Sequence, residues 1–227
     1  MTEITWLGHS CFTIATGKHH IIVDPFLDDS PTAPVKSGDV KADFILITHG
    51  HVDHIADAVK IAKRTGATTV SNFEISQWLS KQGVKNTVGM NLGGGTTIPF
   101  GRMKMTIAHH SSTLPDGTPG GNPGGFLLTL GEEDIYIAGD TALFGDMQLY
   151  AAAALDLAIL PIGDLFTMGP EDSIEAIKML KPNRVLPCHY NTWPPIAQDV
   201  KAWAEMVRAQ TKAIPETPEP GGKIKLS

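Results

Sequence analysis

The sequence predicts an α/β fold bordering on α+β, a single domain over residues 1–227 built of two similar halves. Three observations lead to this expectation. Short apolar runs alternate with segments of helical period, and the order of these elements in the first half recurs in the second. Residues able to bind a divalent metal recur wherever a predicted strand ends. The chain is also long enough to bury a substantial core.

Ile4–Leu7, Cys11–Ala15 and Ile21–Val23 are short runs of strand formers with no helix between them, which predicts antiparallel hairpins. The third run is closed by Asp24-Pro25. Proline disfavours helix for the residue before it, so Asp24 is expected at a strand end, its carboxylate projecting into the next loop. Residues 28–42, rich in Asp, Ser, Pro and Lys, read as a surface loop. Phe44–Ile47 is a buried strand. After it, Ile55, Val59 and Ala62 fall at helical spacing up to Gly66. Thr68–Val70 is a strand, and Ile75, Trp78 and Leu79 mark a helix closed by Gly83. Strand, helix, strand, helix implies local parallel pairing.

The middle is β again, at Thr97-Ile98, Arg102–Ala108, Gly125–Leu130 and Asp134–Ala138. Residues 111–124 form a long Gly/Pro-rich loop of the kind that is usually functional or mobile. The strand–helix order then returns. Leu157–Leu160 is a strand. Pro170 opens a helix bearing Ile174, Ile177 and Leu180, at a position where its missing N–H costs nothing. Arg184–Pro187 is a strand, and Ile196, Val200, Trp203 and Val207 make the last amphipathic helix. Lys223–Leu226 fits an edge strand.

Bulk composition narrows the functional classes. The formal charge is −6, hydrophobic residues make up 42% and charged ones 19%, as in an ordinary globular chain. The arginines are few and scattered, so no nucleic-acid partner is expected. No apolar stretch reaches membrane-spanning length, and the start Met1-Thr2-Glu3-Ile4 lacks the pattern of an export signal. Cys11 and Cys188 are too few for a disulfide framework, and both are expected to be buried and unreactive. A reducing cytoplasmic setting is the expectation.

The chemistry concentrates in Thr48-His49-Gly50-His51-Val52-Asp53-His54, directly after the strand Phe44–Ile47. Three of the nine histidines and one carboxylate occupy six positions. Imidazole and carboxylate are the ligands that borderline divalent metals prefer. The bland alternative is a solvated histidine-rich turn. Further candidates stand at later strand ends: His109 and His110, Asp140 in Ala138-Gly139-Asp140-Thr141, and His189. Strand ends are where loops converge and functional groups gather. Two ions a few ångströms apart need roughly six or seven side-chain ligands, which this set supplies.

His49-x-His51-x-Asp53-His54, a later histidine, Gly139-Asp140-Thr141 and a final His189 resemble the metallo-β-lactamase superfamily, in the correct order. Trp6-Leu7-Gly8-His9-Ser10, Ala108-x-His110-Ser111-Ser112, Pro161-Ile162-Gly163-Asp164, Phe166-Thr167-Met168-Gly169-Pro170 and Cys188-His189-Tyr190-Asn191-Thr192 are similar to its UPF0173 metal-dependent hydrolase group, a relative of ascorbate-6-phosphate lactonases. The resemblance implies a four-layer αβ/βα sandwich. It implies that His49, His51 and His110 bind one ion, that Asp53, His54 and His189 bind a second, and that Asp140 bridges both. His110 is preferred to His109 because Ser111-Ser112 follows it, and adjacent residues on a strand face opposite sides.

The implied enzyme is a binuclear hydrolase that uses a metal-bridging hydroxide on a small ester, lactone or phosphodiester. Asp53 and Asp140 serve as its catalytic carboxylates, with Asp53 or a bound water carrying the proton. The implied cofactors are two divalent ions, zinc first, with manganese, nickel or iron compatible. A small molecule is the expected partner, and a homo-oligomer is compatible with the sequence. Asp24 is expected to hydrogen-bond a metal-binding histidine, in preference to capping a loop. His9 is read either as a pocket residue or as a satisfied histidine between strands. Phe166, Thr167, Met168, Tyr190, Asn191 and Trp193 are candidate pocket walls. The rival class is a non-catalytic metal-binding or scaffold protein retaining the fold. A di-iron oxidoreductase is disfavoured because that branch resembles a variant with a carboxylate where His51 stands. The nucleic-acid clamp of RNA-processing members and the helical C-terminal domain of glyoxalase II members are not expected.

Overall fold

The computed structural model describes residues 2–226; Met1 and Ser227, the outermost positions of the expected span, lie outside the described residues. Two seven-stranded sheets face each other. The first half begins with β1 (Thr2–Trp6), β2 (Phe12–Ala15) and β3 (His20–Val23), paired antiparallel. Then β4 (Phe44–Leu46), β5 (Thr68–Asn72) and β6 (Thr87–Met90) extend the sheet in parallel from β3.

The second sheet repeats this grammar. Strands β7 (Gly95–Ile98), β8 (Gly101–Ile107), β9 (Gly124–Leu130) and β10 (Glu133–Ile137) are antiparallel. From β10, strands β11 (Leu157–Pro161), β12 (Arg184–Cys188) and β13 (Ile214–Pro215) run in parallel. The last strand, β14 (Lys223–Leu226), returns to pair antiparallel with β1 at the edge of the first sheet.

The two-residue period of a strand explains the layering. Ile21, Val23, Phe44 and Leu46 point between the sheets, where they join Met103, Met105, Phe126, Leu128 and Ile137. Their neighbours Ile22, Ile45 and Ile47 point the other way, onto Ala58, Ile61 and Ala62 of helix α2 (Ala58–Thr65) and Ile75 and Leu79 of α3 (Phe73–Lys81). Helices α4 (Pro170–Leu180) and α5 (Val200–Gln210) cover the second sheet, with Trp203 fully buried. The result is the expected four-layer αβ/βα sandwich.

Several local expectations are corrected. The segment after the histidine cluster is two helices, a one-turn α1 (Val52–Ile55) followed by α2. The break has a physical cause: the Asp57 carboxylate accepts from the backbone N–H groups of Leu27 (2.7 Å) and Asp28 (3.0 Å), anchoring the 28–42 loop instead of capping its own helix. The last helix begins at Val200, capped by Asp199, and Ile196 belongs to a separate short turn. Strands β6 and β13 and the 3-10 segment Gly145–Ala153 were not expected. Asp24 does close β3, but its carboxylate turns to Thr48 and His54 rather than into the following loop, on a φ of +44°, a left-handed value that costs strain in a non-glycine residue.

Candidate metal centre

Every candidate ligand lies at the carboxyl end of a strand or in the turn that follows. Asp24 follows β3, His49–His54 follow β4, His109 and His110 follow β8, Asp140 follows β10 and His189 follows β12. These ends converge because residues 48–54 come from the first sheet and residues 110, 140 and 189 from the second, packed face to face. The turns need unusual backbone: His9, Asp24 and His189 have φ of 47°, 44° and 54°. Strain of this kind clusters at functional sites.

Asp140 is the hub. Its Oδ2 lies 3.0 Å from His189 Nε2, 3.3 Å from His54 Nε2, 3.7 Å from His110 Nε2 and 3.9 Å from His49 Nε2. Around it the donors fall into sets whose ligand atoms lie within 4.8 Å of one another: His49, His51 and His110; His49, His54 and Asp140; and His9, Asp53, His54 and His189. His49 Nε2 is 2.9 Å from His51 Nδ1, and Asp53 Oδ2 is 3.9 Å from both His54 Nε2 and His189 Nε2. The structure thus gathers all seven side chains expected as ligands. His110 stands beside Asp140. His109 is exposed, with its ring edge-on to Phe144 at 4.9 Å.

The outward ring nitrogens of His49, His51 and His54 face polar partners. Asp24 is buried and accepts from His54 Nδ1 at 2.9 Å, from Thr48 N at 2.8 Å and from Thr48 Oγ1 at 2.7 Å. With its proton given to Asp24, the Thr48 hydroxyl is left to accept from His49 Nδ1, 3.0 Å away. Ser111 Oγ lies 3.3 Å from His51 Nε2. Such outer contacts fix the tautomer and aim the inner lone pair. Thr48 went unnoticed in the sequence, although it opens the histidine-rich stretch; its signal was only its place between the strand and His49.

Electrostatics separate the groups. Burial holds His49 well below the usual imidazole range, and it lowers His51 and His110 as well. These rings stay neutral, with a lone pair available. Burial also penalises a charged His54, but the Asp140 and Asp24 carboxylates outweigh this and hold it well above its ordinary value. Asp140 is desolvated too, yet His189 and His54 keep it well below the carboxylate range. Burial pushes Asp24 up, opposed by His54 and the Thr48 donors.

The donors fit a divalent cation. His54 Nε2, Asp140 Oδ1 and His189 Nδ1 are buried without a hydrogen-bond partner. An unsatisfied buried polar group costs about 1–3 kcal/mol. One of them, His54 Nε2, faces the Asp140 carboxylate within a cluster of imidazole nitrogens, which is what a cation-binding site requires.

The proposed pocket walls divide. Trp193, 36% exposed, packs edge-on to His9 (5.1 Å) and tilted against Phe26 (5.9 Å), beside the ligands. Phe166 is 57% exposed on the loop after β11, and Thr167 is next to it. Met168 is buried in the core, and its backbone N–H donates to Thr141 O (2.9 Å), bracing the turn that carries Asp140. Tyr190 stacks on Trp6 (5.2 Å), and the Asn191 side chain accepts from Gln198 N (2.7 Å). Both border a separate crevice with Thr32 and Glu219, because the left-handed turn at His189 and Asn191 carries the chain away from the centre. His9 is fully buried in the cluster, 3.0 Å from Asp53 Oδ2. Phe26 had no sequence signal. Cys11 and Cys188 are free and buried.

Comparison with known proteins agrees with this geometry. The family described as "Beta-lactamase superfamily domain" matches residues 19–190. The chain is 50% identical over 214 residues to a UPF0173 metal-dependent hydrolase of Thermus thermophilus, covering 94% of each protein. It is 43% identical to one from Thermococcus kodakarensis over the full length of both. Among solved structures it is similar to Igni18, a metallo hydrolase from Ignicoccus hospitalis, with a TM-score of 0.90 and 34% identity, covering 100% of this chain and 99% of that one. With the ligand-bearing strand ends, the four-layer sandwich and relatives across its whole length, the chain belongs to the beta-lactamase superfamily and, within it, to the UPF0173 metal-dependent hydrolases.

Proposed function

We propose that the chain is a binuclear hydrolase of a small, uncharged ester or lactone carrying an apolar group. The observation that carries this reading is the Asp140 carboxylate, with one oxygen within 3.9 Å of four imidazole nitrogens from both sheets. His49, His51 and His110 would hold one ion, and Asp53, His54 and His189 the other, with Asp140 between them. Zinc suits this mixed donor set best; manganese, nickel and iron are compatible. When bound, two such ions supply a water acidified toward neutrality and a Lewis acid for the scissile carbonyl. Asp53, whose side chain is 27% exposed, is the carboxylate placed to pass a proton to solvent or leaving group. Two buried free thiols accord with a cytoplasmic setting.

Charge distribution argues for an uncharged substrate. Neither Lys nor Arg occurs in residues 105–177, 186–200, 24–35 or 42–59, the stretches that hold every ligand and the loops beyond them. A phosphate group would meet no cationic side chain there, whereas exposed Trp193, backed by buried Phe26, offers an apolar wall beside His9. The test is elemental analysis of protein purified without added metal, followed by a panel of esters, lactones and phosphodiesters on the same sample. Two ions per chain with turnover of apolar esters or lactones is the expected outcome. Asp140→Ala should lower kcat by at least about 100-fold, in line with loss of a group that acts on the reacting centre. Undiminished turnover in that variant removes the reading. A metal-loaded protein inert across the panel favours the scaffold alternative.

A further inference from the structure

We infer that His9 is a positioning residue that locks Asp53 into the centre and ties the two halves of the ligand set together. This rests on the binuclear reading above. His9 precedes every other member of the cluster in sequence and sits, fully buried, between its two halves. Its Nε2 is 3.0 Å from Asp53 Oδ2, in the turn after β4. Its Nδ1 is 2.7 Å from Thr192 Oγ1, beyond β12. Its backbone carbonyl accepts from the backbone N–H of His189 (3.1 Å) and from Trp6 Nε1 (2.9 Å). One residue therefore engages a carboxylate of the first sheet through its side chain and a histidine of the second through its backbone.

The hydrogen-bond chemistry assigns the ring's tautomer. An ionised carboxylate oxygen only accepts, so the hydrogen in the His9–Asp53 bond is on Nε2. Nδ1 is then bare in the neutral ring and accepts from the Thr192 hydroxyl. Nε2 has no lone pair left for a cation, although it lies among groups that have one. His9 thus acts through Asp53: it holds one carboxylate oxygen and fixes the plane of the group. The turn is built for this. Gly8 has φ of +90°, and a Cβ there would sit 2.6 Å from Thr32 Oγ1, while His9 itself is held at φ 47°. The strain is sustained by the four hydrogen-bonded partners that over-determine the ring and carbonyl.

The test is titration of full-length protein with Co2+, followed by visible absorption and chelator competition, which read the two ions separately. In His9→Ala the ion held by Asp53, His54 and His189 should bind about 10–100-fold more weakly, the usual cost of losing such a support. The ion held by His49, His51 and His110 should be unchanged. His9→Gln, whose amide nitrogen reaches the same place and donates, should recover most of the loss. Thr192→Val leaves the His9 backbone untouched and should weaken the same ion by a smaller factor, while Thr192→Ser should not; this pair keeps the test open if His9→Ala does not fold. Wild-type affinity for both ions in folded His9→Ala, or in Thr192→Val, overturns the inference. So does His9→Gln as weak as His9→Ala, which would make the imidazole itself a ligand. A wild-type protein that takes up fewer than two cobalt ions sinks the binuclear reading, whereas two ions with indifferent variants sink only the role of His9.

Discussion

At the scale of single residues, what matters is which nitrogen of each histidine faces inward. Asp24 illustrates it. Its carboxylate takes three hydrogen bonds in a buried setting, and the one from His54 Nδ1 leaves His54 Nε2 aimed at Asp140. In Asp24→Asn an amide nitrogen would have to face either the Thr48 N–H or the pair formed by His54 Nδ1–H and the Thr48 hydroxyl. Some donor must then face another donor. We expect this variant to bind the His54-linked ion about 10–100-fold more weakly, measured by chelator competition; wild-type affinity would show that the hydrogen bond orients nothing. Asp24 was legible in the sequence as a carboxylate at a strand end, but the backbone that presents it was not. A residue before proline is expected to be extended, and the left-handed φ is imposed by Thr48 and His54, which come from a neighbouring strand end and the helix after it. His109 and His110 stand at one strand end; the Ser111-Ser112 pair already favours His110 in the sequence, and the structure adds the physical distinction, with Asp140, 30 residues on and just beyond β10, beside His110.

At the scale of elements, the centre depends on how closely the parallel strand ends approach. Gly163 follows β11, and a Cβ built on it would sit 2.2 Å from the His189 carbonyl oxygen and 3.1 Å from its Nδ1. The glycine lets the turn after β11 lie directly against the turn after β12. Gly163→Ala must push His189 away from Asp140. Overpacking of this kind costs about 1–3 kcal/mol, so we expect a lowered urea midpoint together with weakened metal binding. A loss of stability with unaltered metal affinity would mean that the turn moves without His189. Long periodic elements such as α3 and α4 were readable because one face is apolar at helical spacing. Strand β6 was not: its four residues, Thr-Val-Gly-Met, are too few to show a period, only Val88 and Met90 lean against the core, and it is a strand because β5 offers it a parallel partner. The two-residue β13 exists for the same reason beside β12.

At the scale of the whole molecule, the buried polar cluster lies where the two sheets meet, so ion binding and folding are coupled. Anything bound by the folded state and not by the unfolded chain stabilises it, by about 4 kcal/mol at a free concentration a thousand times Kd. For a chain of this size that corresponds to roughly 10 °C in Tm. Chelation should therefore lower Tm by several degrees, and re-addition of metal should restore it. A Tm indifferent to chelator at concentrations that strip the ions would place the cluster outside the cooperative core. Among the described residues no helix is long and apolar enough to cross a membrane.

The sequence by itself determined the layered α/β plan, the strand ends as the places where function gathers, and the types and order of the side chains that can bind metal. Periodicity and ligand chemistry are local properties, and a single chain displays them without folding. Tertiary structure alone decided that Asp140 meets four imidazoles, that His9 and Thr192 belong to the centre, and that Met168, Tyr190 and Asn191 do not border it. Those facts depend on the distance between residues remote in sequence, which is fixed only when two sheets bury their apolar faces against each other and bring their carboxyl ends together.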